Sequence, residues 1–342
     1  MKSNSRRRFL QGSLTAAAAI AAAPIVGSGA ANAASTGLSG QSGQSGAKAP
    51  DISPNRISIL SYSFLGLFKA GKMDVFGYLE SCKYRYNLEA ANIWNGFLTS
   101  TEEDYLKKVK DALDERELVL AVLTCDDCHI WDPDPEVRKK NYANAMAHLK
   151  AGKILGAQFV RIDAGGPRDG DRTSPAAKEW SDEAFEGIVK RYQEYAQYAH
   201  DNGFKMGPEN HWGPEGIWPN MQKLYKAMNN HPGFGLSVHM SQWQGTQEEK
   251  DKADKESVPW VVAVHFDNNI CEGPLVEKMT ILRDAGYKGY WVVENHSGGQ
   301  NEYAAVATLV AHVRYVLQSW RTGGTSAPPR TGRPPRKPAP GN

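Results

Sequence analysis

Four cysteines in 342 residues are too few to build a disulfide-stapled scaffold. Long apolar runs are missing as well: the one candidate, Leu14–Val26, is short and alanine-rich, below the roughly 20 residues that span a bilayer as a helix. A membrane anchor is therefore the weaker reading of that stretch. Neither sign of charge dominates, with 40 basic residues against 38 acidic ones. Leaving out the basic residues of the two ends (Lys2, Arg6, Arg7 and Arg8; Arg330, Arg333, Arg336 and Lys337) gives 32 against 38. An acidic remainder argues against a nucleic-acid surface. Finally, no glycine-rich phosphate turn follows the first strand, where the text reads Leu65-Gly66-Leu67-Phe68. That absence counts against an open, doubly wound nucleotide-binding sheet.

What is present begins with a leader. Ser5-Arg6-Arg7-Arg8-Phe9-Leu10 is basic, Leu14–Val26 is apolar, and Ala31-Asn32-Ala33 supplies small residues for cleavage. These are the parts of a secretory signal over residues 1–33. The paired arginines select the twin-arginine (Tat) translocase as a partner during export, so the expected location is periplasmic or extracellular. Residues 34–50 read as a Gly/Ser/Gln linker and 322–342 as a Pro/Arg-rich tail, neither apolar enough to offset its ordering entropy. The folded part is then 51–321, the length of a (β/α)8 barrel of about 250 residues.

Within it, short β-branched runs alternate with amphipathic stretches. Strands are expected at Ile57–Phe64, Asn87–Trp94, Leu118–Thr124, Gln158–Ala164, Phe204–His211, Gly233–His239, Trp260–Phe266 and Gly289–His296. Helices are expected near 73–84, 102–116, 135–155, 181–202, 215–230, 272–286 and 301–320, with a weaker one after His239. Asp182 and Asn301 are candidate N-caps, and Gly203 and Gly286 candidate stops. Eight strand–helix repeats imply parallel strands joined by right-handed crossovers: an α/β fold, a single TIM barrel with a closed eight-stranded sheet.

Barrel chemistry sits at the C-terminal strand ends. Those ends read Asn92-Ile-Trp94, Arg161-Ile-Asp163, Glu209-Asn-His211-Trp212, Ser237-Val-His239, His265-Phe-Asp267 and Glu294-Asn-His296. Period-two alternation places Glu209 with His211 and Glu294 with His296 on shared faces. One such histidine alone is more simply a satisfied core residue, but buried carboxylates need a counter-charge. Glu209, His239, His265 and Glu294 together offer mixed oxygen and nitrogen ligands for one divalent metal ion, with Mn, Zn or Fe favoured over Mg. His211, His296 and Asp267 are candidate substrate contacts, with Asn92, Trp94, Trp212 and His129. Arg161 is either another substrate contact or an ion-pair partner for Asp163. Trp94, Trp131, Trp212 and Trp243 all fall at or beyond strand ends, where aromatic faces suit a sugar ring; loop packing explains them equally.

The ligand order resembles the xylose-isomerase-like superfamily of sugar phosphate isomerases and epimerases, over about Ile57 to Trp320. The resemblance implies ligands Glu, Asp, His and Glu from strands five to eight. Glu209, His265 and Glu294 match, but His239 stands where the family has aspartate and Asn92 where it has a strand-two glutamate. It further implies proton transfer through an enediolate, with Glu209 and Glu294 as the catalytic acid–base pair. Imidazole in place of carboxylate raises the site's charge by one and favours the softer metals. The expected substrate is a small sugar or sugar derivative, with no nucleic acid, and self-association is left open. The rival functions are a metal-dependent lyase or hydrolase acting on an oxidised sugar or glycoside, and a non-catalytic periplasmic sugar-binding barrel. Cys125-Asp-Asp-Cys128-His129 matches a c-type haem attachment pattern, but a local disulfide or two loop thiols suit a sealed barrel better.

Overall fold

The computed structural model describes residues 53–165, 175–211, 213–297, 299 and 301–323. The expected leader and linker, the tail from residue 324, and Trp212 lie outside the described residues. Among the described residues, eight parallel strands alternate with helices: β1 Ile57–Ile59, β2 Ala90–Trp94, β3 Val119–Cys125, β4 Phe159–Ile162, β5 Lys205–Gly207, β6 Leu236–His239, β7 Val261–Phe266 and β8 Trp291–Val293. They form two four-stranded sheets, ordered β1-β8-β7-β6 and β2-β3-β4-β5. Isolated parallel bridges link the sheets on both sides, Leu60 with Asn92 on one, Met206 with Phe234 and Glu209 with Ser237 on the other. Neighbours therefore follow sequence order all the way round, as the TIM-barrel fold requires. At the β5–β6 seam a Cβ on Gly207 would lie 1.9 Å from the Gly235 carbonyl oxygen, so only glycine permits that approach.

Strand alternation builds the interior in layers. On β4, Phe159 and Arg161 share a face, as do Ala263 and His265 on β7. Ala90, Ala121, Phe159, Ala263 and Tyr290 pack into a small apolar cluster of their own, apart from the large shell between strands and helices. Above that plug the same faces turn polar, with Asn92, Arg161 and His265 all buried. The barrel is dry and apolar at its base and charged toward its mouth.

Helices fall where the apolar spacing puts them, including Glu103–Glu115, Pro135–Leu155, Asp182–Asp201 and Glu302–Arg321. One detail differs from the sequence reading. The cap of Asp182–Asp201 is Ser181, whose hydroxyl accepts from the Ala184 amide, so Asp182 is the first helical residue instead. Asn301 holds the cap position of the last helix without a side-chain bond. Gly203 and Gly286 do end their helices, with φ of 79° and 81°.

Candidate metal centre and active site

Glu209 lies two residues beyond β5, fixed by its backbone. Its amide donates to Asp163 Oδ1 at 3.0 Å. Its side chain is buried, and Oε1 meets His265 Nδ1 at 2.9 Å and His239 Nδ1 at 3.4 Å. Glu294, just past β8, brings Oε2 to 3.8 Å from His239 Nδ1 and 3.7 Å from His265 Nδ1. His239 and His265 thus each lie within 3.8 Å of both carboxylates, and the side chains close enough to share an ion form two overlapping groups, Glu209 with His239 and His265, and His239 with Glu294 and His296. Tetrahedral bonds of about 2.1 Å place ligand atoms about 3.4 Å apart, and the four distances here run from 2.9 to 3.8 Å. Two carboxylate oxygens and two imidazole nitrogens fit a divalent transition metal better than an all-oxygen ion.

The electrostatics agree. Burial opposes the charge on Glu209, yet His265 and His239 hold its carboxyl well below the usual range. Burial is likewise outweighed at Glu294, which His296, His239 and His265 bring down to about 2. Burial disfavours an imidazolium at His239, but Glu209, Glu294 and Asp267 raise it to about 9. The two ionised carboxylates and the raised His239 thus stabilise one another, the imidazolium supplying positive charge between them.

The surrounding residues divide by role. His265 Nε2 lies 3.1 Å from Asn92 Nδ2, and Thr124 donates to Asn92 Oδ1 at 3.1 Å. Asn92 thus supports a ligand from beneath and does not line the mouth cavity. Arg161 resolves to an ion-pair partner: it bonds Asp163, reaches Asp126 Oδ1 at 3.0 Å, and places Nε 3.5 Å from Glu209 Oε2. Its guanidinium is buried and does not line the mouth cavity. Above the ligands opens a cavity of about 550 Å³, lined by His211, His239, Gln242, Asp267, Asn268, Asn269, His296 and Ser297. His239 belongs to both layers, while Glu209, His265 and Glu294 form the covered floor.

Of the remaining candidates, His296 reaches Glu294 Oε1 at 3.3 Å and His211 reaches Asp163 Oδ2 at 3.7 Å. Trp94 donates to Asp126 Oδ2 at 2.9 Å and stands edge-on to Tyr62. His129 lies beside Gly165, off the cavity lining. Trp243 is corrected to loop packing, because it is buried against Trp218 and bonds Asp254. Gln242, Asn268, Asn269 and Ser297 escaped the sequence reading; they sit past strand ends, where periodicity gives no signal. The four cysteines are free and buried, and sulfurs turned into the core do not suit haem attachment.

The chain matches the model of the xylose isomerase-like TIM barrel family over residues 85–314, and it belongs to that family. None of the curated proteins compared with it matches its sequence. Among solved structures it is similar to the 3-keto-D-glucoside 4-epimerase of E. coli, with TM-score 0.61 and 15% identity over 78% of this chain and 99% of that one. It is also similar to D-psicose 3-epimerase with D-tagatose from Clostridium cellulolyticum H10 (TM-score 0.59, 16% identity, 78% and 98% covered). The zinc-bound IOLI protein aligns with TM-score 0.59 and 13% identity, over 79% and 99% of the two chains. At such identities the likeness establishes the fold.

Proposed function

We propose that this protein is a divalent-metal-dependent sugar epimerase or isomerase, acting outside the cytoplasm. The observation that carries the reading is the convergence of Glu209, His239, His265 and Glu294 beneath a polar cavity of sugar size. Those four residues would hold the ion, and a bound divalent ion supplies Lewis-acid polarisation of a carbonyl and its neighbouring hydroxyl. Each glutamate turns one oxygen toward that point and keeps the other: Glu209 Oε2 beside Arg161, Glu294 Oε1 beside His296. With both carboxylates ionised, one would remove the proton beside the carbonyl and the other would return it. Asp267, Gln242 and Asn268 at the rim offer hydrogen bonds to hydroxyls. Solved neighbours include epimerases of a 3-keto-glucoside and of a ketose, which supports a sugar substrate.

One observation favours a second reading, elimination from an oxidised glycoside. His296 is half-exposed in the cavity and paired with Glu294, so it is placed to protonate a leaving oxygen. Mass analysis of products from a panel of ketoses and 3-keto-glycosides separates the two, since epimerisation conserves mass and elimination does not. In either case Glu209→Gln and Glu294→Gln should each lower kcat by at least about a hundredfold. Full activity in either variant removes that residue from proton transfer.

A further inference from the structure

Cys125 closes β3, and Cys128 follows across a two-residue turn. Asp127 at that turn is left-handed (φ 55°), Cys125 Sγ faces the Leu123 carbonyl at 3.8 Å, and the two thiols are near enough to act on each other's ionisation. On the helix Pro135–Leu155, His148 places Nδ1 3.6 Å from Cys128 Sγ and 2.8 Å from the Asn144 carbonyl. Its other nitrogen lies 3.3 Å from Asn95 Nδ2. An Nδ1–H held this way also faces the sulfur and favours its thiolate. The pair is asymmetric. The neighbouring Cys125 thiol brings Cys128 down to about 6, helped by His148 and by Arg161 from β4 and opposed by burial. Burial pushes Cys125 up, as it does Cys82, to about 12, and Cys271. The charge of Cys128 is also felt by Tyr195, on the helix Asp182–Asp201.

The turn carries a connection to the active site. Asp126, between the cysteines, accepts from Arg161 Nη2 at 3.0 Å and from Trp94 Nε1 at 2.9 Å, and its amide donates to Asn95 Oδ1 at 3.0 Å. Arg161 in turn lies against Glu209.

We propose that Cys125 and Cys128 form a reversible dithiol–disulfide centre, with Cys128 the attacking sulfur, that communicates oxidation to the active site through Asp126. The oxidant is a low-molecular-weight disulfide. The Cys128 thiolate attacks one of its sulfurs, forming a mixed disulfide and releasing one thiolate. Cys125 then loses its proton to that thiolate and attacks the Cys128 sulfur, so the Cys125–Cys128 bond forms and the second half leaves as a thiolate. Two protein thiols are oxidised and the reagent is reduced to two thiols. Both sulfurs are covered, but exposed Asp127 sits between them, so opening of this turn alone admits a small reagent. In the disulfide, His148 loses its thiolate partner and the turn closes around Asp126, shifting the carboxylate that holds Arg161 and Trp94. This proposal is independent of the metal.

The test treats the reduced full chain with hydroxyethyl disulfide, then alkylates and maps thiols by mass spectrometry while following tryptophan emission. The expected product is a 125–128 peptide lighter by two hydrogens, with Cys82 and Cys271 alkylated only after unfolding. Cys125→Ser should stop at the mixed disulfide on Cys128, and Cys128→Ser should react at least about tenfold slower than wild type. The rate at Cys128 should rise with pH through about 6, because the thiolate is the nucleophile, whereas an ordinary thiol rises near about 8.5. Wild-type rates in Cys128→Ser, a midpoint near the ordinary value, or earlier oxidation of Cys82 would overturn the centre. Emission should change on oxidation in wild type and less in Trp94→Phe; an unchanged wild-type spectrum would overturn the link through Asp126.

Discussion

Arg161 shows how one buried charge organises this site. It is 3% exposed and faces Asp126, Asp163 and Glu209, which also hold Trp94 and the Glu209 backbone. Removing the guanidinium takes away the cation these three carboxylates share, leaving Glu209 its two histidines and Asp163 its contact with His211. Arg161→Met should therefore destabilise the fold by about 3–5 kcal/mol, read as a lower urea midpoint. An unchanged midpoint would mean the pairs contribute nothing. Lysine keeps the charge but loses the fork, so Arg161→Lys should fall between. At this scale the sequence was informative where a polar residue interrupts an apolar strand end, as at Glu209, His239, His265 and Glu294. It was silent on direction: nothing local distinguishes an arginine that faces substrate from one that faces two aspartates. Asn268 and Ser297 gave no signal, since side chains on loops have no period to break.

Elements were legible in kind and order, less so at their ends. The fifth and eighth strands read through to His211 and His296, yet β5 stops at Gly207 and β8 at Val293. Pro208 has no amide to continue the ladder, and the Asn295 amide is taken by Ser63 Oγ at 2.9 Å. Alternation accordingly lapses, with Glu209 and Glu294 buried while His211 and His296 turn outward. The charged helix Gln247–Ser257 was the weakest expectation because its apolar face is narrow. A Thr246–Glu249 capping box starts it, and buried Asp254, bonded to Ser241, Trp243 and Lys278, docks it. Packing through polar pairs leaves no hydrophobic period to read. The corrected cap of Asp182–Asp201 makes a prediction here. Ser181→Ala should cost about 1 kcal/mol of unfolding free energy, more than Asp182→Ala, which loses only a favourable charge in the first turn. The reverse order in matched denaturation curves would restore Asp182 as the cap.

For the whole molecule, the barrel was readable because eight repeats of buried strand and amphipathic helix admit few right-handed arrangements. The two seams, bridged at Leu60–Asn92 and around Gly207, depend on contacts between residues distant in sequence and left no local trace. The layering is what joins fold to the proposed function: an apolar plug, a polar support of Asn92 and Arg161, and the candidate ligands Glu209, His239, His265 and Glu294 beneath the cavity. An ion bound at about 100 times its Kd would add about 2.7 kcal/mol to the folded state, so chelation should lower the Tm of wild type and leave a ligand-deleted variant unmoved. The most direct test of the central claim is elemental mass spectrometry of purified protein beside a His239→Ala/Glu294→Ala double variant. The account predicts a single Mn, Zn or Fe ion per wild-type chain and none in the variant. Wild-type protein that holds no metal even after anaerobic reloading would contradict it.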